Sequence, residues 1–264
     1  MWKTAAAVLA FIACLASSGT AAVHVVQAPA SGARPPGLSV LYRLQLLQAA
    51  PGRLLDLIDA VKKQSAMASA FGEGATVIMR HSQGDHWDLA VLWPIGDWRA
   101  YYAADRVSKR EAAARAAGPG VSDFEQTLDP LVSWHEDAYL RGPSVEAVRA
   151  HVADAGLLHY EMMQALPGRR EALIEERRME NAFNRNRGRG ETLIFVREAG
   201  AAWDVVTLGV YRNWTHYAES DAIPKDVSDD AARKAGFTGA DAVGPYMRTL
   251  ISTHRDTLGP PVRQ

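Results

Sequence analysis

Residues 86–102, HWDLAVLWPIGDWRAYY, decide the fold of this 264-residue chain, because their pattern returns in residues 202–218 as AWDVVTLGVYRNWTHYA. Four side chains recur at an offset of 116 residues: Trp87 as Trp203, Asp88 as Asp204, Trp98 as Trp214, and Tyr101 as Tyr217. Recurrence at a long fixed period is the sequence signature of a duplicated structural unit.

The recurrence extends over most of the chain. Further matches at the same offset are Pro51-Gly52-Arg53 with Pro167-Gly168-Arg169, Ile58 with Ile174, Thr76 with Thr192, and Gly84 with Gly200. Small insertions widen the offset to 119, where His135-Glu136-Asp137 matches His254-Arg255-Asp256. The sequence therefore predicts two repeats of roughly 100 residues, over 38–143 and 156–264, joined by a linker helix over 144–155.

Each repeat is predicted to run strand, helix, hairpin, helix, strand. LYRLQLLQ has strand length, and the stretch after Pro51-Gly52 carries apolar residues at helical spacing, namely Leu54, Leu55, Ile58 and Val61. The turn residues SQGD separate two strand-like runs and indicate a hairpin. Asp97 and Asn213 stand where helix N-caps are favoured. The resulting order is the ferredoxin-like βαββαβ.

Helices cover only one face of a ferredoxin-like sheet, so the other face needs a partner, and a second copy supplies one. With this order and the motif DLAVLWPIGDWRAYY, the chain resembles the dimeric α/β-barrel superfamily in its fused two-copy form, and it is most similar to NIPSNAP-type members. The resemblance covers residues 40–140 and 156–258. It implies an α+β chain in which tandem ferredoxin-like repeats form a pseudo-dimeric α/β barrel.

The repeated aromatic and acidic residues are predicted to serve the fold. Trp87, Trp98 and Tyr101 are interpreted as core side chains that pack the hairpin strand against the following helix. Asp88 and Asp204 follow a tryptophan at a strand entry, where an aspartate can bond neighbouring backbone donors.

Polar residues on the first and last strands of each repeat are the candidate pocket groups. Residues two apart in a strand share a face, which gives four pairs: Arg43 with Gln45, His135 with Asp137, His159 with Glu161, and His254 with Asp256. The resemblance makes the first and last strands neighbours, so the pairs of each repeat are expected to converge on the concave side of its sheet. A histidine beside a carboxylate can serve as a general base, and the same pair also occurs as a structural ion pair.

The second repeat is the better candidate for an active half, because His159 and Glu161 stand where the first repeat has Arg43 and Gln45. A metal site would need His159, Glu161, His254 and Asp256 to meet, which suits a two-histidine carboxylate centre. No H-E-x-x-H, C-x-x-C or phosphate-loop motif supports one. The sequence therefore assigns no metal, and it identifies neither a cofactor nor a catalytic residue.

The N-terminus reads as a signal peptide over residues 1–22. A lysine at position 3, an apolar run and the small residues Thr20-Ala21-Ala22 match its three regions. The run is shorter than the roughly 20 residues that span a bilayer. We expect a periplasmic or secreted protein with an exposed tail over 23–37. The mature protein would contain no thiol, because the only cysteine, Cys14, lies in the signal peptide that is removed. Lipid attachment at Cys14 is the alternative.

Charge and composition limit the partners. A formal net charge of -1 argues against nucleic acid and anionic membranes, and no transmembrane segment is expected in the mature chain. The basic run RNRGRGE (185–191) is mixed with acids, which favours a solvated loop over an anion site.

The first functional hypothesis is an exported protein whose two sheets enclose an apolar pocket for a small hydrophobic or aromatic molecule. The resemblance adds a second hypothesis, because the superfamily includes cofactor-independent oxygenases, haem-dependent enzymes and small-molecule lyases. A structural or interaction protein with a filled barrel is the third. The sequence leaves open whether the chain forms a homodimer.

Overall fold

The computed structural model describes residues 37–116 and 128–263. The predicted signal peptide, Cys14 and the tail up to residue 36 lie outside these residues. We call residues 38–143 the first half and residues 156–263 the second half. In the described part of the chain, no helix combines the length and the apolar composition needed to cross a membrane.

Each half contributes four strands. Those of the first half are β1 (Val40–Ala49), β2 (Val77–Arg80), β3 (Leu89–Gly96) and β4 (Val132–Gly142). Those of the second half are β5 (Leu157–Ala165), β6 (Leu193–Gly200), β7 (Val205–Tyr211) and β8 (Ile251–Gly259).

The helices stand where the predicted order requires them. In the first half they are α1 (Leu54–Ser69), α2 (Trp98–Tyr101) and α3 (Ala104–Ala116), and the linker helix is α4 (Val145–Val152). In the second half they are α5 (Arg170–Asn186), α6 (Trp214–Ala218), α7 (Lys225–Lys234) and α8 (Val243–Arg248). The apolar face of α1 is rotated from the predicted one, because Leu57 and Val61 are buried whereas Leu55 is 70% exposed.

All eight strands described here join one antiparallel sheet in the order β2-β3-β1-β4-β6-β7-β5-β8. The halves meet where β4 pairs with β6. The chain after β8 returns to β2, where the Val262 N–H donates to the Ile78 carbonyl (2.7 Å) and the Arg80 N–H donates to the Pro260 carbonyl (3.1 Å). These bonds close the sheet into a barrel.

Side chains from both halves fill the inner face of the barrel. Tyr42 and Trp87 of the first half are buried there with Tyr160 and Phe195 of the second. The rings of Tyr42 and Phe195 meet edge to face with centroids 5.5 Å apart. Aromatic and aliphatic side chains of the described residues thus occupy the inner face, where the sequence predicts an apolar ligand pocket, and that pocket stays a prediction.

The repeated tryptophans differ in burial. Trp87 is fully buried, as predicted. Trp98 is only partly buried, and its indole N–H donates to Glu198 (2.8 Å), while Trp214 is 44% exposed. The predicted core role was wrong for Trp98, and its counterpart Trp214 also lies outside the core, because α2 and α6 are one-turn helices on the surface with no buried residue.

Short polar side chains satisfy backbone donors at the predicted places. Asp88 accepts from the Ala49 N–H (2.8 Å), Asp204 from Ala165 (2.9 Å), Asp97 from Ala100 (2.9 Å), Asn213 from His216 (2.9 Å), and Ser144 from Ala147 (3.1 Å). The last three are the N-caps of α2, α6 and α4. The two strand-entry aspartates therefore anchor the chain end of the first strand in each half.

Candidate functional site

The four polar side chains predicted for the second half meet, and we call His159, Glu161, His254 and Asp256 the polar cluster. His159 Nε2 lies 3.0 Å from Asp256 Oδ1. His254 Nδ1 lies 3.4 Å from Asp256 Oδ2, and its Nε2 lies 3.5 Å from Glu161 Oε1. The strand register explains the convergence, because Glu161 on β5 pairs directly with Asp256 on β8 and each histidine lies two residues along its strand.

The polar cluster lies on the outer face of the barrel, toward α5. Tyr160 and Met162 flank Glu161 and belong to the barrel interior, so strand alternation turns Glu161 outward. Its contact with Arg177 of α5 agrees with this direction. The predicted convergence is present. The prediction that the polar cluster faces the concave side, toward the barrel interior, was wrong, because apolar residues of the same strands are buried on that side.

Helix α5 adds a buried arginine that ties three carboxylates together. Arg177 Nη1 lies 3.5 Å from Glu161 Oε2, its Nε lies 2.6 Å from Glu176 Oε2, and it also pairs with Glu180. The Thr207 hydroxyl donates to Glu161 Oε2 (2.9 Å). Arg177 is 3% exposed and Glu176 is fully buried, so each charge depends on its partners to offset its desolvation.

A cavity of about 310 Å³ opens above the polar cluster, between the sheet and helices α5 and α6. His159 and Glu161 line it from β5, Glu180 from α5, Gly209 from β7 and Tyr217 from α6. With the other residues of its wall, the cavity brings together two imidazoles, four carboxyl groups and two tyrosine rings.

The basic run that follows α5 also lines the cavity. Arg187 and Arg189 are both part of its wall. Arg189 Nη2 donates to the His216 carbonyl (2.6 Å), and the Arg187 guanidinium lies 4.2 Å from the ring centroid of Phe183. The prediction of a solvated loop was wrong for these two arginines, because backbone and ring contacts fold them inward.

At the equivalent positions of the first half, two of the polar side chains are paired with one another and the space beside them is occupied by the Trp93 indole. Arg43 makes a two-pronged salt bridge to Asp137, at 3.0 and 2.8 Å. Gln45 is 2% exposed and accepts from the Trp93 indole N–H (3.3 Å). His135 is exposed at the edge of a smaller cavity of about 190 Å³ that Arg43 and Gln45 also line. Asp137 thus pairs with Arg43 across the two neighbouring strands, and His135 stays exposed.

Three differences between the halves accompany the larger cavity. The offset of 116 aligns Trp93 with Gly209, Val61 with Arg177, and Gln64 with Glu180. A Cβ added to Gly209 would meet its nearest neighbour at 3.5 Å, an ordinary contact, so packing does not demand glycine there. Its effect is to leave empty the space that an indole fills in the first half. Sequence analysis missed these residues, although the same alignment marks each as a difference between the two halves.

Burial and neighbouring charges shift three pKa values at the cavity. Burial would lower the pKa of His159, but the carboxylates of Asp256 and Glu161 outweigh it and raise the pKa. Burial would raise the pKa of Glu161, but the adjacent His254 imidazole and a guanidinium lower it. Burial raises the pKa of Glu180 to about 7 despite the guanidinium beside it. At neutral pH an ionised Glu161 therefore lies near a Glu180 that can accept or release a proton.

The charged wall decides which cofactors suit the cavity. A haem would press an apolar macrocycle against Glu161, Glu180 and Arg187, and desolvating these charges without new partners is costly. The cavity therefore does not fit a haem. A metal ion fits better, because one nitrogen of His159 and one oxygen each of Glu161 and Asp256 all lie within 4.8 Å of one another. Imidazole and carboxylate are ligands of first-row divalent metals.

Comparison with known proteins shows the fold alone. No family model matches the chain, and no curated protein matches its sequence. An anthrone oxidase-like protein is 12% identical, with a TM-score of 0.54 over 85% of this chain and 92% of its own. A candidate monooxygenase from Fusobacterium nucleatum subsp. nucleatum is 8% identical, with a TM-score of 0.55 over 85% of this chain and 93% of its own. Both likenesses place this α+β chain in the dimeric α/β-barrel fold.

Proposed function

We propose that the second half binds a small aromatic molecule with polar substituents in the cavity between its sheet and α5. The observation that carries this proposal is the contrast between the halves at equivalent positions. Where the first half places the indole of Trp93, the second half leaves a space at Gly209, and it lines that space with charged groups.

The energetics support a functional reason for the contrast. Burying Arg177 and Glu176 costs desolvation energy, and apolar residues of similar volume would stabilise the fold as well or better. The first half has Ala60 and Val61 at those positions. Shifted pKa values and mutually dependent charges around a cavity are typical of functional sites.

The chemistry of the wall supports the class of ligand. The rings of Tyr211 and Tyr217, with centroids 5.0 Å apart, give the cavity an aromatic side. Arg187 and Arg189 offer donors, and Glu180 offers an acceptor. A flat ring that carries hydroxyl or carboxylate groups matches both sides, so the proposed ligand is more polar than the one expected from sequence.

An enzyme is the second candidate, and Glu180 is the observation that favours it. Its carboxyl group lines the cavity, and its pKa of about 7 suits proton transfer at neutral pH. The fold relatives described as anthrone oxidase-like and as a monooxygenase suggest an oxygenase-type reaction, in which Glu180 would take a proton from a phenol or enol. A lyase would use the same proton transfer.

The test is to fill the cavity. Gly209→Trp places in the second half the indole that the first half has, and Gly209→Ala is the matched control. Anthrone and 4-hydroxybenzoate are the probes. Their binding is measured as a rise in the Tm of the protein, with a metal chelator present in excess. A probe at 100 times its Kd stabilises the native state by about 2.7 kcal/mol. We expect the wild type and Gly209→Ala to respond to at least one probe and Gly209→Trp to respond to neither.

Two results would contradict the binding proposal: no response of the wild type to either probe, or an equal response in Gly209→Trp. The enzyme candidate has a separate readout. Oxygen uptake with anthrone should be lost in Glu180→Gln while probe binding remains. Uptake that survives Glu180→Gln would remove Glu180 from the reaction.

We also propose that the halves are copies of one unit in a NIPSNAP-like chain that is exported. Matched contacts support the duplication, since Gly84 packs on the Asp256 carbonyl and Gly200 packs on the Asp137 carbonyl. An experimental structure should superpose the halves with Trp87 on Trp203. Whether the whole chain forms a homodimer is tested by the mass that sedimentation analysis gives.

A further inference from the structure

We propose that the second half binds one divalent transition-metal ion between His159, Glu161 and Asp256. This inference deepens the proposed function, because it places an ion beside the same cavity. Two of the ligands, His159 and Glu161, also line the cavity wall, but Gly209 and Trp93, whose contrast carries the proposed function, are not ligands.

The backbone fixes the three ligand groups. His159 and Glu161 lie two residues apart on β5, and Asp256 lies directly across from Glu161 on β8. Opposed residues in an antiparallel pair have Cβ atoms about 5 Å apart, so the sheet holds these side chains at the spacing of a metal site. One ligand atom from each already lies within 4.8 Å of the other two.

Surrounding groups orient the ligands as metal sites require. Thr207 and Arg177 hold the Oε2 atom of Glu161 at 2.9 and 3.5 Å, which fixes the carboxylate plane. His254 lies between the two carboxylates, with Nδ1 3.4 Å from Asp256 Oδ2 and Nε2 3.5 Å from Glu161 Oε1. Such outer groups fix ligand geometry and tune affinity.

The ligand set leaves coordination positions open. One imidazole and two carboxylates supply three protein ligands, and His159 and Glu161 face the cavity. Catalytic sites typically bind the metal through three protein ligands and keep a further position for water or substrate. The combination of nitrogen and oxygen donors without sulfur suits Mn²⁺, Fe²⁺, Co²⁺ or Zn²⁺.

The first half provides an internal control. It has Arg43, Gln45 and Asp137 at the three positions. An arginine side chain has no acceptor and cannot ligate a metal, and Arg43 already holds Asp137 in a two-pronged salt bridge. Only one of the two equivalent places can therefore take an ion.

The experiment is a metal titration of the untagged full chain after removal of metal with a chelator. Co²⁺ is the probe, and no organic ligand is present. Binding of Co²⁺ is measured by titration calorimetry and by the visible absorption of the bound ion. We expect one Co²⁺ per chain. His159→Arg, which places the first-half residue there, and Asp256→Asn should each weaken binding by at least about 10- to 100-fold, the cost of losing even an outer-sphere partner, because each removes a ligand atom or charge. Arg43→His should leave the stoichiometry at one.

Absence of Co²⁺ binding to the wild type would overturn the metal proposal, as would unchanged affinity in both variants of the ligand set. Asp256→Asn covers the case in which His159→Arg does not fold. The probe-binding experiment on Gly209→Trp is done with chelator present, and the metal titration is done without an organic probe. Each experiment therefore tests its own proposal, whatever the outcome of the other.

Discussion

Replacing Arg177 with valine should cost a large part of the stability of the chain. Valine is the residue that the first half has at this position, Val61, so the change is sterically mild. It leaves the fully buried Glu176 and the partly buried Glu161 without the guanidinium that lies 2.6 and 3.5 Å from them. Removing one partner of a buried ion pair costs about 3 to 5 kcal/mol.

That free energy can be read from thermal unfolding. For a domain of this size each kcal/mol moves Tm by about 2 to 4 °C, so Arg177→Val should lower Tm by roughly 6 to 20 °C. Arg178→Val is the surface control, because Arg178 is 44% exposed in its pair with Glu175. An exposed pair contributes at most about 1 kcal/mol.

A multiple variant separates lost pairing from lost packing. Glu161→Gln, Glu176→Ala, Arg177→Val and Glu180→Gln together give the second half the residues of the first. We expect this variant to recover part of the stability that Arg177→Val loses, because it also removes the carboxylates that the single variant leaves without their guanidinium partner. Denaturant unfolding of both variants is the assay. The reasoning is refuted if Arg177→Val loses less than about 1 kcal/mol, or if the multiple variant is no more stable than the single one.

Three further outcomes follow from the structure. In metal-free protein, burial raises the folded pKa of Glu180 above its unfolded value, so the wild type loses stability as pH rises from the unfolded pKa toward 7. Glu180→Gln should therefore gain more over the wild type at pH 8 than at pH 5 in urea unfolding, and a pH-independent difference would contradict this. Asp88→Ala and Asp204→Ala should each lower the free energy of unfolding by about 1 to 3 kcal/mol, because each leaves the backbone N–H at a strand end without an acceptor. A loss in only one half would argue against matched roles. N-terminal sequencing of exported protein should begin at Val23, and an intact N-terminus would refute the signal peptide.

Local sequence patterns predicted much of the architecture. Alternation, helical spacing and turn residues located the strands and long helices, because these patterns express short-range backbone preferences. The caps at Asp97 and Asn213 were predicted for the same reason, since a cap depends on residues within one turn. The pairs on β5 and β8 could be grouped by face from the two-residue period alone.

Tertiary structure decided which face those pairs occupy and what lies above them. The same βαββαβ pattern allows either face of the sheet to be the barrel interior, and only the packing of Tyr42, Tyr160 and Phe195 in the barrel sends the polar cluster outward to α5. The burial of Arg177 and the space at Gly209 depend on residues distant in the chain. A local pattern predicts that a charge is present, but only the packing of a sheet against a helix removes that charge from water and gives it a partner.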